Sequence, residues 1–550
     1  MVKYLDNSVS GFNQFSAKKE SEKKGGLSKL LWWAAIFLLS WWAFSYWFGG
    51  DKTAVQPTAA AVELTTVGAD MSSVPVWGLK DQKISANAAG LRIYDISLAD
   101  YKQDKDGDEP VRLLAGDGDF IEIGFIAAGT VAPNNMTKWK RTSLNNDNGP
   151  TVEKLDWRNA DGIEFTRSIT IENYIITVSD EIKNNSPRDV SFTPYALVVR
   201  GRGSDSAGVA SGAIVFAKSD IERDSWGGIE KSKSEGIEYK TESGFAAFED
   251  QYWETVAQMS APLQVMRFAM SGEKFNLKTT AAPVNLSAGA SKSFVAKIFA
   301  GPKLASDLKS AASQIPGLDN TINYGFFWFL SMPFLWALNA LFGIVGNYGV
   351  AIIILTIILR VLMWPLTKKS YTNMAKMQEM QPEMQRIQKL YKDDKVRLQQ
   401  EMMKLYALHK TSPVSGCLPM LLQIPIFFAL YKALLISAQM RHTGFLWIHD
   451  LAVADPTSIF NLFGLLPWAA PSMLQIGILP ILMGLTMWYQ QKLSSSAMQT
   501  NNAVPGMATV MKWMPVLFVV MLYWMPAGLV LYWTISNIFG IVQMRIIKKS

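Results

Sequence analysis

From residue 51 to residue 315 this chain carries no apolar stretch long enough to cross a bilayer, yet one precedes that block and several follow it. This arrangement constrains the fold more than any other feature. Hydrocarbon offers backbone N–H and C=O groups no partner, so the crossing segments must be helices, and the intervening block must build its own core in water. The first apolar stretch, Leu30 to Phe48, is long enough for the ~30 Å hydrocarbon layer. Lys18, Lys19, Lys23, Lys24 and Lys29 precede it and set the N-terminus inside. It is longer than a signal-peptide core and carries Trp32, Trp33, Trp41, Trp42 and Trp47 near its ends, so it reads as an uncleaved anchor. Residues 1–29 are then cytoplasmic, residues 30–48 the first transmembrane anchor, and residues 51–315 external.

The external block reads as β structure. Gly162–Ile171 and Tyr174–Val178 flank a turn signal at Glu172-Asn173, as in a hairpin, and Asp119–Phe125 and Val190–Val199 are similar runs. Regular strands separated by Gly, Asp and Asn over this length predict a large periplasmic β-sandwich domain, with a helix from Lys303 to Ser313 at its end. The single cysteine, Cys417, excludes an intramolecular disulfide, so the domain is held by its own core. Gly201–Gly208 reads as a flexible loop, because no helix with a lysine follows it.

Beyond it, residues 320–346 are strongly aromatic, interrupted by Pro333, and fit an amphipathic helix lying in the outer interface. A second span covers 347–366. Residues 367–412 hold ten basic against five acidic side chains. There Met374, Met377, Met380, Met384 and Ile387 recur at helical spacing, as do Val396, Leu398, Met402, Leu405 and Leu408. Two antiparallel cytoplasmic helices packed through these stripes are expected. A third span follows at 413–438, an external segment at 439–471, a fourth span at 472–491 and a cytoplasmic loop at 492–511. Positive charge at both ends of 512–545 folds that stretch into a hairpin at Met525-Pro-Ala-Gly528, giving the fifth and sixth spans. The fifth helix, about 13–15 residues, is short enough to thin the bilayer or leave its end wet. Both termini are cytoplasmic, and the chain is a polytopic α-helical membrane protein of six spans.

Arg360 lies deep in the second span. A guanidinium in hydrocarbon costs at least ~2.5–3.5 kcal/mol, and the next basic residues, Lys368 and Lys369, begin about 12 Å further along the helix axis. Snorkelling to the headgroups is the plain alternative. No span carries Asp or Glu to neutralise it. A cation so placed favours a transient anionic visitor, such as an acidic segment of another polypeptide. Thr356 and Trp364 share its helix face. Gln423, Gln475, Ser536, Asn537 and Gln543 are other polar residues in spans, for which an interhelical hydrogen-bond network is the ordinary role. His409, His442 and His449 have no metal-ligand spacing, no Ser–Lys dyad falls within a span, and no nucleotide motif is present. The chain reads as neither an enzyme nor a cofactor protein. A small-anion or solute transporter using Arg360 is the alternative function.

Specific motifs resemble the YidC/Oxa/Alb family of membrane protein insertases. They are Gly346–Ile354, Pro365–Met377 after Arg360, Gly416–Tyr431, Trp447–Leu451 with Asp455-Pro456, Leu479–Gly484, and Pro526–Trp533 with Ser536-Asn537. A large domain after the first span resembles the Gram-negative YidC form. The resemblance implies an inner-membrane insertase and chaperone with a five-helix hydrophilic groove, acting alone or with the Sec translocon and its accessory subunits on nascent membrane proteins. In that groove Arg360 would receive the polar part of an incoming chain, with Thr356 beside it. Ile424 and Phe427 of the third span, Trp524 and Trp533 of the last hairpin, and the polar Gln423, Ser536 and Asn537 would line it. Trp533 departs from the family's tyrosine. The short tail Arg545–Ser550 departs from relatives with a long basic extension, which leaves ribosome contact to the hairpin and the 492–511 loop.

Overall fold

The computed structural model describes residues 73–145, 151–202, 211–232, 235–409, 418–464, 475–495 and 507–549. The first anchor, most of the 492–511 loop and Cys417 lie outside them. The chain divides into two compact units, residues 52–323 with 436–438, and the remainder.

The first unit is two antiparallel sheets, one of ten strands and one of nine. Ile163–Glu172 alternates buried and half-buried residues along its length, as a strand with one face on a core must. It pairs with Ile175–Asn184 through a turn in which Asn173 takes φ 55°, a left-handed conformation that asparagine tolerates. The predicted hairpin is therefore present. Phe120–Ala128 and Val190–Arg200 are strands too, and they pair with each other. The sheets interleave their rings. Phe165 of the nine-stranded sheet lies 6.3 Å from Phe125 and 5.7 Å from Phe192 of the other. Register places Arg167 opposite Asp180. Nε and Nη2 grip the carboxylate at 2.7 and 2.8 Å, and Nη2 also donates to the Ile123 carbonyl of the ten-stranded sheet. Such a buried charge is tolerable because it is held by its own carboxylate and a backbone carbonyl.

Helix α1 (Trp226–Ser232) inserts Trp226 between Phe248 and Phe275, at 5.3 and 4.4 Å. Helix α2 (Ala305–Ala312) falls within the stretch that reads as helical and buries Leu308 and Ala311. The chain then turns at Gly317, whose φ of 91° and closeness to the Phe216 ring exclude a side chain there.

The second unit is helical. Helix α3 (Trp328–Val345) runs unbroken through Pro333 and exposes Trp328, Phe329, Met332, Trp336 and Ile344. It ends at Gly346, φ 67°, and Asn347 caps the next helix by accepting from the Val350 N–H. That helix, α4 (Tyr348–Leu362), bends 60° into α5 (Trp364–Glu379). Helices α6 (Gln381–Leu390) and α7 (Lys395–Leu408) follow, the second capped by Asp394. Their seam buries Met380, Met384 and Leu405, with Ile387, Met402 and Tyr406 against it. The expected stripe needs correction here. Val396 and Leu408 are 69% and 76% exposed, because the seam follows 402, 405 and 406 rather than the whole apolar set.

Helices α8 (Leu418–Ile436), α9 (Ile478–Ser495), α10 (Met507–Leu522) and α11 (Ala527–Lys549) complete the bundle. The last two are joined by a short turn at residues 523–526, and each packs against α9. Among the described residues, two helices are long and apolar enough to cross a membrane by length and composition, α3 and α11, or three if α4 and α5 form one bent span. Leu422–Ile436 and Lys512–Leu522 are shorter apolar helices. Side chains of α3, α4, α8, α10 and α11 share one apolar core that includes Leu338, Ile352, Leu430, Leu434, Leu522 and Leu529.

Candidate functional site: a buried arginine without a carboxylate

Arg360 sits in the last turn of α4 and is 9% exposed. Its Nε donates to Ser536 Oγ of α11 at 2.8 Å, and Nη2 donates to the same oxygen. Gln543, two turns further along α11, donates to the Arg360 carbonyl at 3.4 Å. Among the described residues no carboxylate lies within ion-pair distance of the guanidinium. The serine accepts from two of the guanidinium's nitrogens without cancelling the charge, which stays intact inside the bundle.

The network continues away from Arg360. Tyr532 lies four residues before Ser536 on the same face of α11. Tyr532 accepts from Gln423 Nε2 of α8 at 2.5 Å. Arg360 thus ties α4 to Ser536 of α11, and Gln423 ties α8 to Tyr532 one turn earlier on the same helix. Tyr371 of α5 and Gln490 of α9 both lie against Gly540 of α11, where a Cβ would be only 2.7 Å from Gln490 Nε2 and 3.7 Å from the Tyr371 hydroxyl.

Beside the polar chain lies an aromatic one. Trp533 meets Phe427 edge-on at 5.0 Å and Phe518 at 5.3 Å, and Phe427 touches Phe428 at 5.5 Å. Edge-to-face rings of this kind hold an apolar wall in shape.

Of the residues the sequence singles out, Arg360, Ser536 and Gln423 come together in the polar chain, and Phe427 and Trp533 in the aromatic one. Four others have different surroundings. Thr356 is fully buried and donates to the Ile352 carbonyl of its own helix, so its hydroxyl is engaged locally. Asn537 turns toward α9 and donates to Thr486 Oγ1 at 3.2 Å, which pins two helices. Ile424 and Trp524 are 45% and 57% exposed. Sequence reasoning missed Tyr532, Tyr371 and Gln490. The signal for Tyr532 was present in the spacing of 532, 536 and 543, one face of a single helix.

The fold and site define a large β domain joined to a helical unit that has helices long and apolar enough to cross a membrane and a buried arginine. Residues 340–550 match the family described as 60Kd inner membrane protein, and residues 80–337 match the YidC periplasmic domain. The membrane protein insertase YidC of Rickettsia felis is 38% identical over 485 residues, covering 84% of this chain and 85% of the relative. That of Beijerinckia indica is 35% identical over 495 residues, covering 84% and 80%. A crystal structure of an active YidC insertase with its first transmembrane domain resolved aligns at 16% identity and TM-score 0.35, covering 86% of this chain and 94% of that one. The chain belongs to the YidC family of membrane protein insertases.

Proposed function

We infer that this chain inserts proteins into the inner membrane and that Arg360 is the docking charge for the polar segment of the incoming chain. The observation that carries this is the pairing of Arg360 with a hydroxyl in place of a carboxylate. A buried cation that already held its counter-ion would have no electrostatic reason to attract another. The aromatic wall of Phe427, Phe518 and Trp533 supplies an apolar surface next to it, suited to the hydrophobic part of the same substrate. Burial of that apolar helix in lipid drives the transfer.

In this reading the chain has six spans, both termini in the cytoplasm, its β domain in the periplasm, and α3 in the outer interface. The bundle offers a hydrated groove lined also by Gln423, Ile424, Trp524 and Asn537, and bilayer thinning at the short α10 assists. Nascent membrane proteins are the substrates, the Sec translocon and its accessory subunits act as partners, and ribosomes dock at the cytoplasmic helices. No nucleotide or cofactor takes part.

The test is reconstitution of the full chain in liposomes without nucleotide, using a single-span substrate with an acidic or a neutral translocated tail. Arg360→Ala should slow the acidic tail most, and Arg360→Lys should be milder. Equal loss for the two tails would remove the electrostatic role, and anion flux without insertion would replace the reading with transport.

A further inference from the structure

No step of insertion uses the buried charges of the β domain, and one of them is short of partners. Glu254, on the strand Trp253–Met259, stands directly opposite Glu249 of the strand Phe245–Glu249 and is fully buried. Two carboxylates side by side on neighbouring strands cannot both ionise cheaply. The cations around them lie against the other one. Lys303, itself buried, donates to Glu249 Oε2 at 3.0 Å, and Arg223 Nε stands 3.6 Å from Glu249 Oε1. Among the described residues Glu254 Oε2 has no hydrogen-bond partner. Its other oxygen, Oε1, meets the Thr321 hydroxyl at 3.1 Å.

Thr321 belongs to the segment that carries the chain out of the β domain. The turn Leu318–Asn320 is closed by the N–H groups of Leu318, Asn320 and Thr321, which donate to the carbonyls of Ile315, Gly317 and Leu318. Arg223 Nη2 holds the Thr321 carbonyl at 2.6 Å. The Thr321 hydroxyl has one proton and two acceptors in reach, Glu254 Oε1 and the Leu318 carbonyl at 2.8 Å. A neutral Glu254 leaves that proton to the shorter bond, which fastens the turn. An ionised Glu254 competes for it as a stronger acceptor, and its Oε2 stays stranded without a donor. The strands cannot relieve this without breaking their ladders. A three-residue turn at the end of the domain can, by swinging away and admitting water.

We propose that Glu254 and Thr321 form a proton-operated latch on the exit of the β domain: residues 318–323 lie closed while Glu254 keeps its proton, and opening them releases it. Burial pushes the carboxyl from 4.5 up to about 8, with Glu249 adding to the rise and Lys303, Thr321 and Arg223 opposing it. Between those two values opening is linked to the loss of one proton, so each pH unit favours it about tenfold. Six freed residues reach about 20 Å when extended. The tether to the helices that follow therefore lengthens as the exterior turns alkaline, a consequence that rests on the periplasmic placement given above.

The plain alternative is a buried acid that merely weakens the whole domain. Hydrogen exchange of the full chain in detergent separates the two. It is read by mass spectrometry from pH 5 to pH 9, corrected for the chemistry of exchange, on a peptide across residues 316–324. The hairpin of Ile163–Glu172 and Ile175–Asn184 serves as reference. Protection of the exit peptide should fall about tenfold per pH unit from pH 5 to pH 8 and level off above. It should stay at least about tenfold below that of the hairpin throughout, because the latch opens without the domain unfolding. Glu254→Gln cannot ionise and should hold the exit peptide at its pH 5 protection across the range. Thr321→Val keeps the shape without the hydroxyl and should lower protection about 5-fold at every pH, the worth of one hydrogen bond. A flat profile in the natural protein, or the same slope in Glu254→Gln, overturns the latch. So does equal protection of exit peptide and hairpin, which means that both open only with the whole domain. Unaltered protection in Thr321→Val overturns it as well.

Discussion

Glu254 of the β domain is fully buried on the strand Trp253–Met259, and its acidity is the strongest electrostatic prediction the fold makes. Burial pushes its carboxyl from 4.5 up to about 8; the neighbouring Glu249 adds to the rise, while Lys303, Arg223 and a hydrogen bond from Thr321 oppose it. The opposition is incomplete because Lys303 spends its charge on Glu249, at 3.0 Å, and Arg223 reaches the Thr321 carbonyl at 2.6 Å. The folded state thus holds a proton that the unfolded chain releases above pH 4.5. Stability from this group is fully present below pH 4.5 and is lost as pH rises, until the folded group also ionises near pH 8. At about 1.4 kcal/mol per pH unit, the loss by pH 7 is on the order of 3 kcal/mol. Glu254→Gln keeps the shape and the acceptor for the Thr321 hydroxyl, which lies 3.1 Å away, and cannot ionise. We expect it to match the natural protein at pH 5 and to exceed its stability at pH 8. Pulse proteolysis of the β domain across urea concentrations, on the full chain in detergent, measures this directly. Parallel pH dependence in the two proteins, or a Gln variant weaker at pH 8, would refute the reasoning.

Two structural predictions concern the helical unit. A Cβ on Gly349 would stand 2.3 Å from the Phe445 ring, so Gly349→Ala should destabilise by about 1–3 kcal/mol. Adding Phe445→Ala should recover part of that, read by thermal unfolding in detergent. Met384 is 3% exposed in the seam of the cytoplasmic helices, whereas Leu408 is 76% exposed. Met384→Ala should cost about 2–5 kcal/mol locally and speed protease cleavage at residues 391–394, while Leu408→Ala should leave the cleavage rate unchanged.

Local order was legible in the sequence wherever one period and one turn residue agreed. The strands on either side of Asn173 follow from alternation and an asparagine turn, and the break between α10 and α11 from the turn residues at Met525-Pro-Ala-Gly528. The cytoplasmic seam was only partly legible. Val396 and Leu408 fit the helical period, but a period says which residues share a stripe, not which turn of that stripe finds a partner. The polar network was harder still. Arg360 and Ser536 both stood out as polar residues in apolar helices, yet they are 176 residues apart and nothing in either helix announces the bond. Tyr532 was overlooked because a tyrosine in an apolar helix ordinarily reads as packing or an interfacial anchor. Only the fold, which brings Gln423 of α8 to its phenol, turns it into a link between α8 and α11.

The choice of serine opposite Arg360 yields the sharpest separation of stability from function. A bundle selected for stability alone would place a carboxylate there, since it accepts the same two N–H groups and neutralises the charge. Serine accepts the hydrogen bonds and leaves the charge available. Ser536→Asp should therefore give a bundle at least as resistant to heat as the natural one, because the buried cation gains its counter-ion in reach of both donors. The same change should lower insertion of acidic-tailed substrates to the level of Arg360→Ala, because the docking site is already filled. Thermal unfolding in detergent and insertion in vesicles, measured on one preparation, test both halves. A Ser536→Asp protein that stays folded and still inserts acidic tails at the natural rate would mean that the free charge of Arg360 is not what the substrate uses.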